Sequence, residues 1–325
     1  MEAITEYLSA ARTRFELGLN QYLDSYPCKY RPLWDAVEYA LTSGGKRVRP
    51  ALVYLGADFC GADSAKVEHI AQAIEMIHNY SLVHDDMPCM DDDAIRHGKP
   101  SVHKAYGEGM AMLAGDALLN MAFERLLSVS DINSYKAAAY IAEASGMCGM
   151  VGGQCLDLQN VDWAHTDYDS VAEINRLKTS ALLRAALCGG AIACGCSDDE
   201  LKSLESYALY IGEIFQIVDD ILDITSDSAT MGKEVNQDSK NGKFTYASIY
   251  GVDKAREYIK DLNNKAKSAV SAYGERGIIR LLALQSFLTR QAYSHILIKY
   301  NFICGTIKKK TSAPIAGETT TKEGR

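Results

Sequence analysis

The sequence has 325 residues, of which 47% are hydrophobic and 23% are charged. This balance is typical of a globular chain with ample material for a core, and it excludes disordered and collagen-like proteins. There are 34 Lys and Arg residues against 42 Asp and Glu residues, and the resulting net charge of −8 disfavours a nucleic-acid-binding protein. We expect small-molecule partners and no nucleic acid.

The uncharged stretches are too short to cross a membrane. Residues 144–156 and 185–197 are uncharged over 13 positions each, whereas a transmembrane helix needs about 18. The N-terminal residues carry charges throughout, so the sequence predicts no secretory signal. We therefore expect a cytoplasmic protein, and its nine cysteines, which form no CxxC pair, are expected to be reduced thiols.

Proline positions and hydrophobic periodicity predict an all-α fold. No proline occurs over residues 101–313, and because an interior proline costs a helix about 3 kcal/mol, long helices are expected there. Apolar or small residues recur every three or four positions over 67–81 and over 201–222, which is typical of helices with one buried face. Convincing period-two alternation bounded by hairpin turns is missing.

The chain contains no obvious linker or internal repeat, so one domain is the simplest organisation. We place this domain at residues 1–298. Residues 299–325 are polar and include the basic triplet 308–310. Such a composition cannot bury enough apolar surface to order itself, so we predict a disordered, solubilising tail rather than a site for an anionic surface.

A basic loop precedes the first predicted helix. Gly44 and Gly45 are followed by Lys46, Arg47 and Arg49 in the segment GGKRVRP. Flexible glycines beside several cations suit the oxygens of a phosphate group. A short basic loop is weak evidence by itself, because such residues most often lie on the surface.

The segment 84–103, HDDMPCMDDDAIRHGKPSVH, places five aspartates within nine residues. Carboxylates this crowded repel one another unless water or a cation neutralises them, and all-oxygen clusters favour Mg²⁺ or Ca²⁺. The spacing does not fit an EF-hand loop. Taken alone, the segment could also be a solvated acidic turn.

A second acidic cluster interrupts an apolar helix at residues 215–227, FQIVDDILDITSD. Asp219 and Asp223 are four residues apart and share a helix face, with Gln216 one turn earlier. Burying these charges without a partner is costly, so a metal ion or another cation is implied. Two such clusters facing each other across a bundle could hold metal ions that also bind a phosphorylated substrate, which predicts a catalytic pocket.

These motifs, in this order, resemble the trans-prenyl diphosphate synthases (isoprenyl diphosphate synthases). The likeness covers residues 30–291. It rests on six segments, GGKRVRP, DDMPCMD followed by RHGKPSVH, GDALL at 115–119, GGQCLDL at 152–158, LKTSALLRAA at 177–186 and FQIVDDILD. The resemblance implies an all-α bundle around a deep central cavity, usually a homodimer, in which the two aspartate motifs face each other.

The resemblance also implies a role for each matching residue. The ligands of Mg²⁺, or of Mn²⁺, would be Asp85, Asp86, Asp91, Asp219, Asp220 and Asp223. The surroundings of an allylic diphosphate would be formed by Arg96, Gln154, Lys178, Thr179, Gln216, Lys233 and Lys243. Isopentenyl diphosphate would be held by Lys46, Arg49, His78 and His97. Catalysis would depend most directly on Asp85, Asp86, Asp91, Arg96, Lys178, Asp219 and Lys233.

The implied reaction needs no side-chain nucleophile. Metal ions and cationic side chains would stabilise the pyrophosphate that leaves as the allylic C–O bond ionises. The double bond of isopentenyl diphosphate would then attack the carbocation, and a proton would be lost to the departing pyrophosphate. A dry cavity would keep water from quenching the cation.

Residues just before the first aspartate predict the length of the product. Tyr80 and Ser81 precede Asp85 by five and four residues, about 6 to 7.5 Å deeper along a helix, in the direction of a growing hydrocarbon tail. Together with the extra residues Pro88 and Cys89, this aromatic resembles the pattern of bacterial farnesyl diphosphate synthases, so we predict farnesyl diphosphate. Geranyl or geranylgeranyl diphosphate is the alternative, and Tyr80 could also be ordinary core packing.

Three features depart from the family pattern. His97 stands where the family usually has a second arginine, and a neutral imidazole cannot replace a charged, bidentate guanidinium. Either isopentenyl diphosphate binds more weakly, with affinity rising at lower pH, or the protein has another use. Ala94 replaces a frequent acid, and residues 292–325 extend past the usual end of the family. A class I terpene cyclase and a non-catalytic partner subunit are more remote alternatives, disfavoured by the second diphosphate site and by the intact aspartates.

Overall fold

The computed structural model describes residues 2–27, 29–159, 168–225 and 245–273, together with Leu281 and Leu284. The α-helices within these residues are α1 (Glu2–Ser25), α2 (Leu33–Thr42), α3 (Val48–Phe59), α4 (Glu68–Asp85), α5 (Val102–Tyr106), α6 (Glu108–Leu126), α7 (Ile132–Ser145), α8 (Met150–Gln159), α9 (Tyr168–Asn175), α10 (Ala181–Ala193), α11 (Asp198–Thr225), α12 (Tyr246–Tyr250) and α13 (Val252–Val270). Short 3₁₀ turns occupy Ser64–Val67 and Ser271–Tyr273, and a π-helical turn occupies Arg176–Ser180.

The all-α prediction is confirmed, with one small exception among the described residues. Strands β1 (Ile95–Arg96) and β2 (Lys99–Pro100) form an antiparallel hairpin in which Ile95 is paired with Pro100. The turn residues His97 and Gly98 both have positive φ, 54° and 76°, which is the backbone that a tight two-residue hairpin needs. The strands are too short for period-two alternation to appear in the sequence.

Helix α4 lies in the core and ends at the first acidic segment. Periodicity predicted one buried face, but α4 is buried almost all round because α3, α6 and α10 pack against it. Ile70, Ile74 and Ile77 are fully buried along its length. The helix therefore forms a fixed support for the acidic segment that follows Asp85.

Helices α3 and α10 are in direct backbone contact. A Cβ atom added to Gly56 would lie 2.1 Å from the carbonyl oxygen of Leu187, and one added to Gly190 would lie 2.1 Å from that of Val53. Only glycine fits at either position, since real Cβ atoms do not approach backbone oxygens so closely. This contact fixes the C-terminal half of α3 against the C-terminal half of α10. Helix α11 then packs against α10 and α13.

Several predictions concern features outside the described residues. The boundary at residue 298 and the tail 299–325 are among them and stay predictions.

No helix in the described part of the chain is both long and apolar enough to cross a bilayer. The described cysteines are free thiols, as the sequence predicted.

Candidate active site

The first acidic segment begins at the C-terminus of α4, and a backbone hydrogen bond folds it back on the helix. The amide of Asp91 donates to the carbonyl oxygen of Asp85 at 2.9 Å. This turn brings Asp91 close enough to Asp85 and Asp86 for the three negative charges to interact. The structure thus collects the acids of the first motif at one end of α4.

Asp86 is held by Arg96 from the β-hairpin. Asp86 is only 2% exposed, and the Nε atom of Arg96 lies 3.0 and 3.3 Å from its two oxygens. A second guanidinium nitrogen of Arg96 donates to Asp86 and, at 2.9 Å, to Asp93. Burial raises the pKa of Asp86 even though Arg96 opposes this shift. The sequence did not single out Asp93, whose position depends on the turn before the hairpin.

Asp85 receives a hydrogen bond from a different helix. The amide nitrogen of Gln154 in α8 donates to Asp85 Oδ1 at 2.8 Å. Burial raises the pKa of Asp85 to about 6, and the charges of Asp91 and Asp86 add to this shift, whereas the positive charge of Lys178 opposes it. The structure therefore brings together Asp85, Gln154 and Lys178, which the sequence separates widely.

Lys178 lies in the π-helical turn between α9 and α10, a deviation that is frequent at functional sites. Its ammonium group donates to Asp157 of α8 at 2.6 Å. Gly153 permits this arrangement, because a Cβ atom there would lie 2.3 Å from the backbone nitrogen of Lys178. Thr179 follows in the same turn and is half-buried. Sequence reasoning missed Asp157, although it lies in the GGQCLDL segment, three residues after Gln154 and so on the same helix face.

The second acidic cluster lies near the end of α11, which packs against the π-helical turn. Asp219 is half-buried and Asp220 is buried. The Gln216 side chain donates to Asp220 Oδ1 at 3.0 Å, and both residues line a cavity of about 340 Å³ together with Ser180 and Tyr246. The side chain of Asp223, and Lys233 and Lys243 as a whole, lie outside the described residues, so their predicted roles stay predictions.

One of the three cations in the basic loop points into the core. Gly44 and Gly45 have φ values of 116° and 114°, and Arg47 has a left-handed φ of 52°. This backbone directs the Arg47 side chain into the core, where it donates to Glu75 of α4 at 2.8 Å and to the carbonyl oxygen of Leu41 at 2.5 Å. Arg47 is therefore a structural residue. The sequence did not identify Glu75.

Arg49 and His78 form a positively charged neighbourhood with the basic loop. The Nε atom of Arg49 is buried and has no hydrogen-bond partner among the described residues, and burial lowers the pKa of Arg49 to about 10. Burial, and after it the positive charges of Arg49, Arg47 and Arg96, lower the pKa of His78 well below its ordinary value. These interactions place both Arg49 and His97 near His78. The buried Nε atom of Arg49 is a hydrogen-bond donor that could serve an anion.

His97 lies against the basic loop, with its Nε2 atom 3.5 Å from the position a Gly45 Cβ would take. The residue is exposed, yet desolvation of its ring where it faces the basic loop, together with the positive charges of Arg96, Arg47 and Lys46, lowers the pKa of His97 to about 4. The imidazole is therefore neutral at physiological pH. The Lys46 side chain is half-buried in the same neighbourhood.

The two residues predicted to set product length lie one turn before the acids. Tyr80 is 8% exposed, and its ring lies edge-on to that of His84 at 5.9 Å. Ser81 is half-buried and donates to the carbonyl oxygen of His78 at 2.9 Å. Burial, followed by the charge of Asp85, raises the pKa of Tyr80. Their influence on product length stays a prediction.

The sequence is similar to those of known proteins over most of its length. The family model described as "Polyprenyl synthetase" matches residues 31–275. The farnesyl diphosphate synthase of Escherichia coli K12 is 38% identical over 279 residues, which cover 84% of this chain and 93% of the relative. The heterodimeric geranylgeranyl pyrophosphate synthase large subunit 1 of Arabidopsis thaliana, a chloroplastic protein, is 40% identical over 293 residues, 87% of this chain and 79% of the relative.

The solved structures agree with the sequence relatives. A crystal structure of a geranyltransferase from Legionella pneumophila is similar with a TM-score of 0.78 at 31% identity, and the match covers 90% of this chain and 99% of that one. Family model, relatives and fold give a single answer. The chain belongs to the polyprenyl synthetase family, as a trans-prenyl diphosphate synthase.

Proposed function

We propose that the protein acts in the cytoplasm as a metal-dependent enzyme that joins isopentenyl diphosphate to dimethylallyl or geranyl diphosphate, with farnesyl diphosphate as its main product. The observation that carries this proposal is the convergence of Asp85, Gln154 and Lys178 from three separate elements. A carboxylate, an amide and a cation at one point suit a diphosphate that is bound partly through a divalent ion and partly by the protein.

The aspartates fit a divalent cation by their chemistry. Carboxylate oxygens are the ligands that Mg²⁺ and Mn²⁺ prefer, and the raised pKa values of Asp85 and Asp86 show that the protein compensates their negative charge incompletely. No three acidic, histidine or cysteine side chains among the described residues lie close enough to form a complete metal site. Substrate oxygens and water would complete it. The ligands would be Asp85, Asp86, Asp91, Asp219, Asp220 and Asp223.

The cationic side chains would act on the leaving group of the allylic substrate. When bound, the metal would neutralise part of the charge that develops on the pyrophosphate. Lys178, fixed by Asp157, would hold a diphosphate oxygen, and Arg96 would contribute a second positive charge from the hairpin. Gln154 would orient Asp85, since it already donates to that carboxylate. Thr179, Gln216, Lys233 and Lys243 would complete the surroundings.

Isopentenyl diphosphate would bind at the basic loop. Lys46, Arg49 and His78 supply the positive charges and a hydrogen-bonding group, and the buried Nε atom of Arg49 is a donor in need of an acceptor. Because His97 is neutral, this site has one charge fewer than the family pattern. We expect isopentenyl diphosphate to bind more weakly here than in relatives with a second arginine.

The farnesyl product is supported by the position of Tyr80. Its large, buried side chain lies five residues before Asp85 on a helix whose surroundings are closely packed. A hydrocarbon tail growing along α4 would meet this ring. The second candidate product is geranylgeranyl diphosphate, because the Arabidopsis relative is named as a subunit of a geranylgeranyl pyrophosphate synthase.

A homodimer is part of the proposal. Helices α6 and α7, the turn after α7 and the start of α8 expose large apolar side chains, namely Met112, Leu113, Ile132, Tyr135, Met147 and Val151. Exposed apolar side chains clustered along neighbouring helices are typical of a protein interface. Light scattering on the purified chain should give twice the monomer mass. A monomeric, inactive chain that gains activity with a second protein would instead indicate a heterodimeric subunit.

The reaction is tested with purified protein, Mg²⁺, isopentenyl diphosphate and either dimethylallyl or geranyl diphosphate. The products are dephosphorylated and separated by chromatography. Farnesol as the main alcohol is the expected result. Geranylgeraniol would establish the second candidate, whereas no condensation product with either allylic substrate would overturn the proposed activity.

Two aspartate variants provide a matched comparison. Asp85→Asn removes a proposed metal ligand and should lower kcat by about 10³-fold, since metal-dependent charge stabilisation is lost. Asp92→Asn changes an exposed acid in the same segment, which contacts Lys104 at 3.3 Å, and asparagine tolerates its left-handed backbone. Asp92→Asn should keep nearly full activity. Equal losses in both variants would contradict the assignment of Asp85.

A further inference from the structure

Three cysteines meet where the end of α3 approaches the turn between α10 and α11. Cys60 directly follows α3, Cys194 directly follows α10, and Cys196 lies just before α11. The Sγ atom of Cys60 donates to the carbonyl oxygen of Ala191 at 3.6 Å, and the backbone nitrogen of Cys196 donates to the same oxygen at 3.2 Å. The backbone nitrogen of Cys194 donates to this oxygen as well, at 3.0 Å, so all three cysteines converge on one backbone atom.

The backbone contact between α3 and α10 holds these cysteines in place. Gly56, four residues before Cys60, lies against the carbonyl oxygen of Leu187, and Gly190 lies against that of Val53. Because the helices touch backbone to backbone, their ends have little freedom to move apart. The proximity of Cys60 and Cys196 is thus built into the core packing.

The two thiols differ in chemistry as well as in position. The two thiols interact, and this interaction lowers the pKa of Cys196 and raises that of Cys60, with burial adding to the upward shift of Cys60. Cys196 is the sulfur that forms a thiolate more readily, and Cys60 keeps its proton. Both residues are half-buried, so a small oxidant can reach them, whereas Cys188 is buried.

We propose that Cys60 and Cys196 form a modification site, at which hydrogen peroxide converts the two thiols into a reversible disulfide. In the first step the Cys196 thiolate attacks one oxygen of the peroxide, the O–O bond breaks, and the departing hydroxide takes up a proton to become water. Cys196 is then a sulfenic acid.

In the second step the Cys60 sulfur attacks the sulfur of this sulfenic acid. The S–S bond forms, the S–O bond breaks, and the leaving hydroxide takes the proton of the Cys60 thiol and becomes the second water. Two thiols have lost two electrons, and one peroxide has been reduced to two waters. No other co-reactant is needed.

The disulfide would join two parts of the chain that are far apart in sequence. Cys60 follows the helix that starts in the basic loop, and Cys196 precedes the helix that carries Asp219. Cross-linking such distant residues restricts the unfolded chain and stabilises the folded one. Oxidation should therefore raise the midpoint of thermal unfolding by about 5 °C.

The test treats the purified full-length chain with hydrogen peroxide and measures its intact mass and its proteolytic peptides without reductant. The expected result is a loss of two hydrogens and a peptide that links Cys60 to Cys196. Dithiothreitol should reverse both changes and the upward shift in thermal midpoint. A cross-link through Cys194, or peroxide that only adds oxygen to exposed Cys89, Cys148 or Cys155, would overturn the proposal.

Serine variants separate the pair from its neighbours. Cys60→Ser and Cys196→Ser should abolish both the cross-linked peptide and the thermal shift. Cys194→Ser, in the same turn, and Cys148→Ser, on an exposed loop, should retain them. Peptide mapping of the unmodified chain decides the matter even if a variant folds poorly, because it identifies the bonded cysteines directly.

Discussion

Lys178 and Asp157 form an ion pair at 2.6 Å that joins the π-helical turn to α8. Both side chains are largely shielded from solvent, and Gly153 allows the two backbones to approach closely enough for the contact. The ammonium group of Lys178 is thereby directed toward the same region as Asp85, whose pKa responds to it. Asp157 thus positions a cation that we assign to the allylic diphosphate.

Asp157→Asn should weaken this positioning while leaving Lys178 itself in place. We expect kcat/KM for the allylic diphosphate to fall about tenfold, equivalent to about 1.4 kcal/mol. Steady-state kinetics with each substrate varied in turn measures the effect. Asp199→Asn is the control, because it removes only an exposed pair with Lys202 near the start of α11. An unchanged kcat/KM in Asp157→Asn would contradict a positioning role.

Glu75→Gln should affect folding and the basic loop together. Glu75 is buried, accepts a hydrogen bond from Arg47 at 2.8 Å and attracts Arg49. Leaving Arg47 buried without its partner should lower the free energy of unfolding by about 3 kcal/mol. We also expect KM for isopentenyl diphosphate to rise more than KM for the allylic substrate.

Glu16→Gln is the control for Glu75→Gln. Glu16 also lies near Arg47, but at 3.9 Å and with a side chain that is 39% exposed. Its removal should change the free energy of unfolding by less than about 1 kcal/mol. Urea unfolding of both variants measures the two changes. Equal losses in the free energy of unfolding would show that the buried pair contributes no more to stability than the exposed contact does.

The neutral state of His97 gives a prediction about pH. Because the pKa of His97 is about 4, the side chain gains no proton as the pH falls from 7.5 to 6. We expect its contribution to binding isopentenyl diphosphate to stay constant over this range, and an affinity that rises at lower pH, as the sequence suggested, would show that the bound diphosphate raises the pKa of His97. His97→Arg should lower KM for isopentenyl diphosphate about tenfold, since it adds a permanent, bidentate charge. His97→Gln should match the unmodified enzyme at neutral pH.

His69 predicts how stability depends on pH. It is buried, and burial together with the charge of Arg125 lowers its pKa to about 4, against about 6.5 in the unfolded chain. Between these values the unfolded state binds more protons, so stability is fully present above pH 6.5 and is lost as the pH falls toward 4. The loss from this group is about 3 kcal/mol at most. His69→Gln should flatten the measured dependence, and an unchanged slope would exclude His69 as its source.

Tyr80→Ala should lengthen the product. Removing a buried ring opens space along α4, so a larger share of twenty-carbon alcohol is expected beside farnesol when products are separated by chromatography. Tyr80→Phe is the control, because it keeps the ring and should keep the product. Unchanged product length in Tyr80→Ala would remove the basis for assigning this position to length control.

Local pattern was sufficient to predict helices α4 and α11 and the two acidic clusters of the candidate site. The apolar spacing over 67–81 and 201–222 predicted α4 and α11, because a buried helical face repeats every three or four residues. The family resemblance, rather than the spacing of residues, implied that Asp85, Gln154 and Lys178 belong to one site, and the structure brings these three together.

Long-range packing could not be predicted from the local sequence pattern. Arg47 looks equivalent to Lys46 and Arg49 in the sequence, and only its left-handed backbone and a glutamate from another helix turn it inward. The π-helical turn and the pair between Lys178 and Asp157 likewise depend on Gly153 meeting a distant segment. Such contacts follow from tertiary structure and leave no periodic signal.

The hairpin of β1 and β2 lies between the first acidic segment and the basic loop. Arg96 and His97 are adjacent, yet Arg96 is bonded to Asp86 and His97 lies against Gly45 of the basic loop. One tight turn therefore contacts both the aspartates and the basic loop. At the two diphosphate positions that we propose, a ligand that displaces Arg96 would also move the adjacent His97, so occupancy of one position would alter the shape of the other.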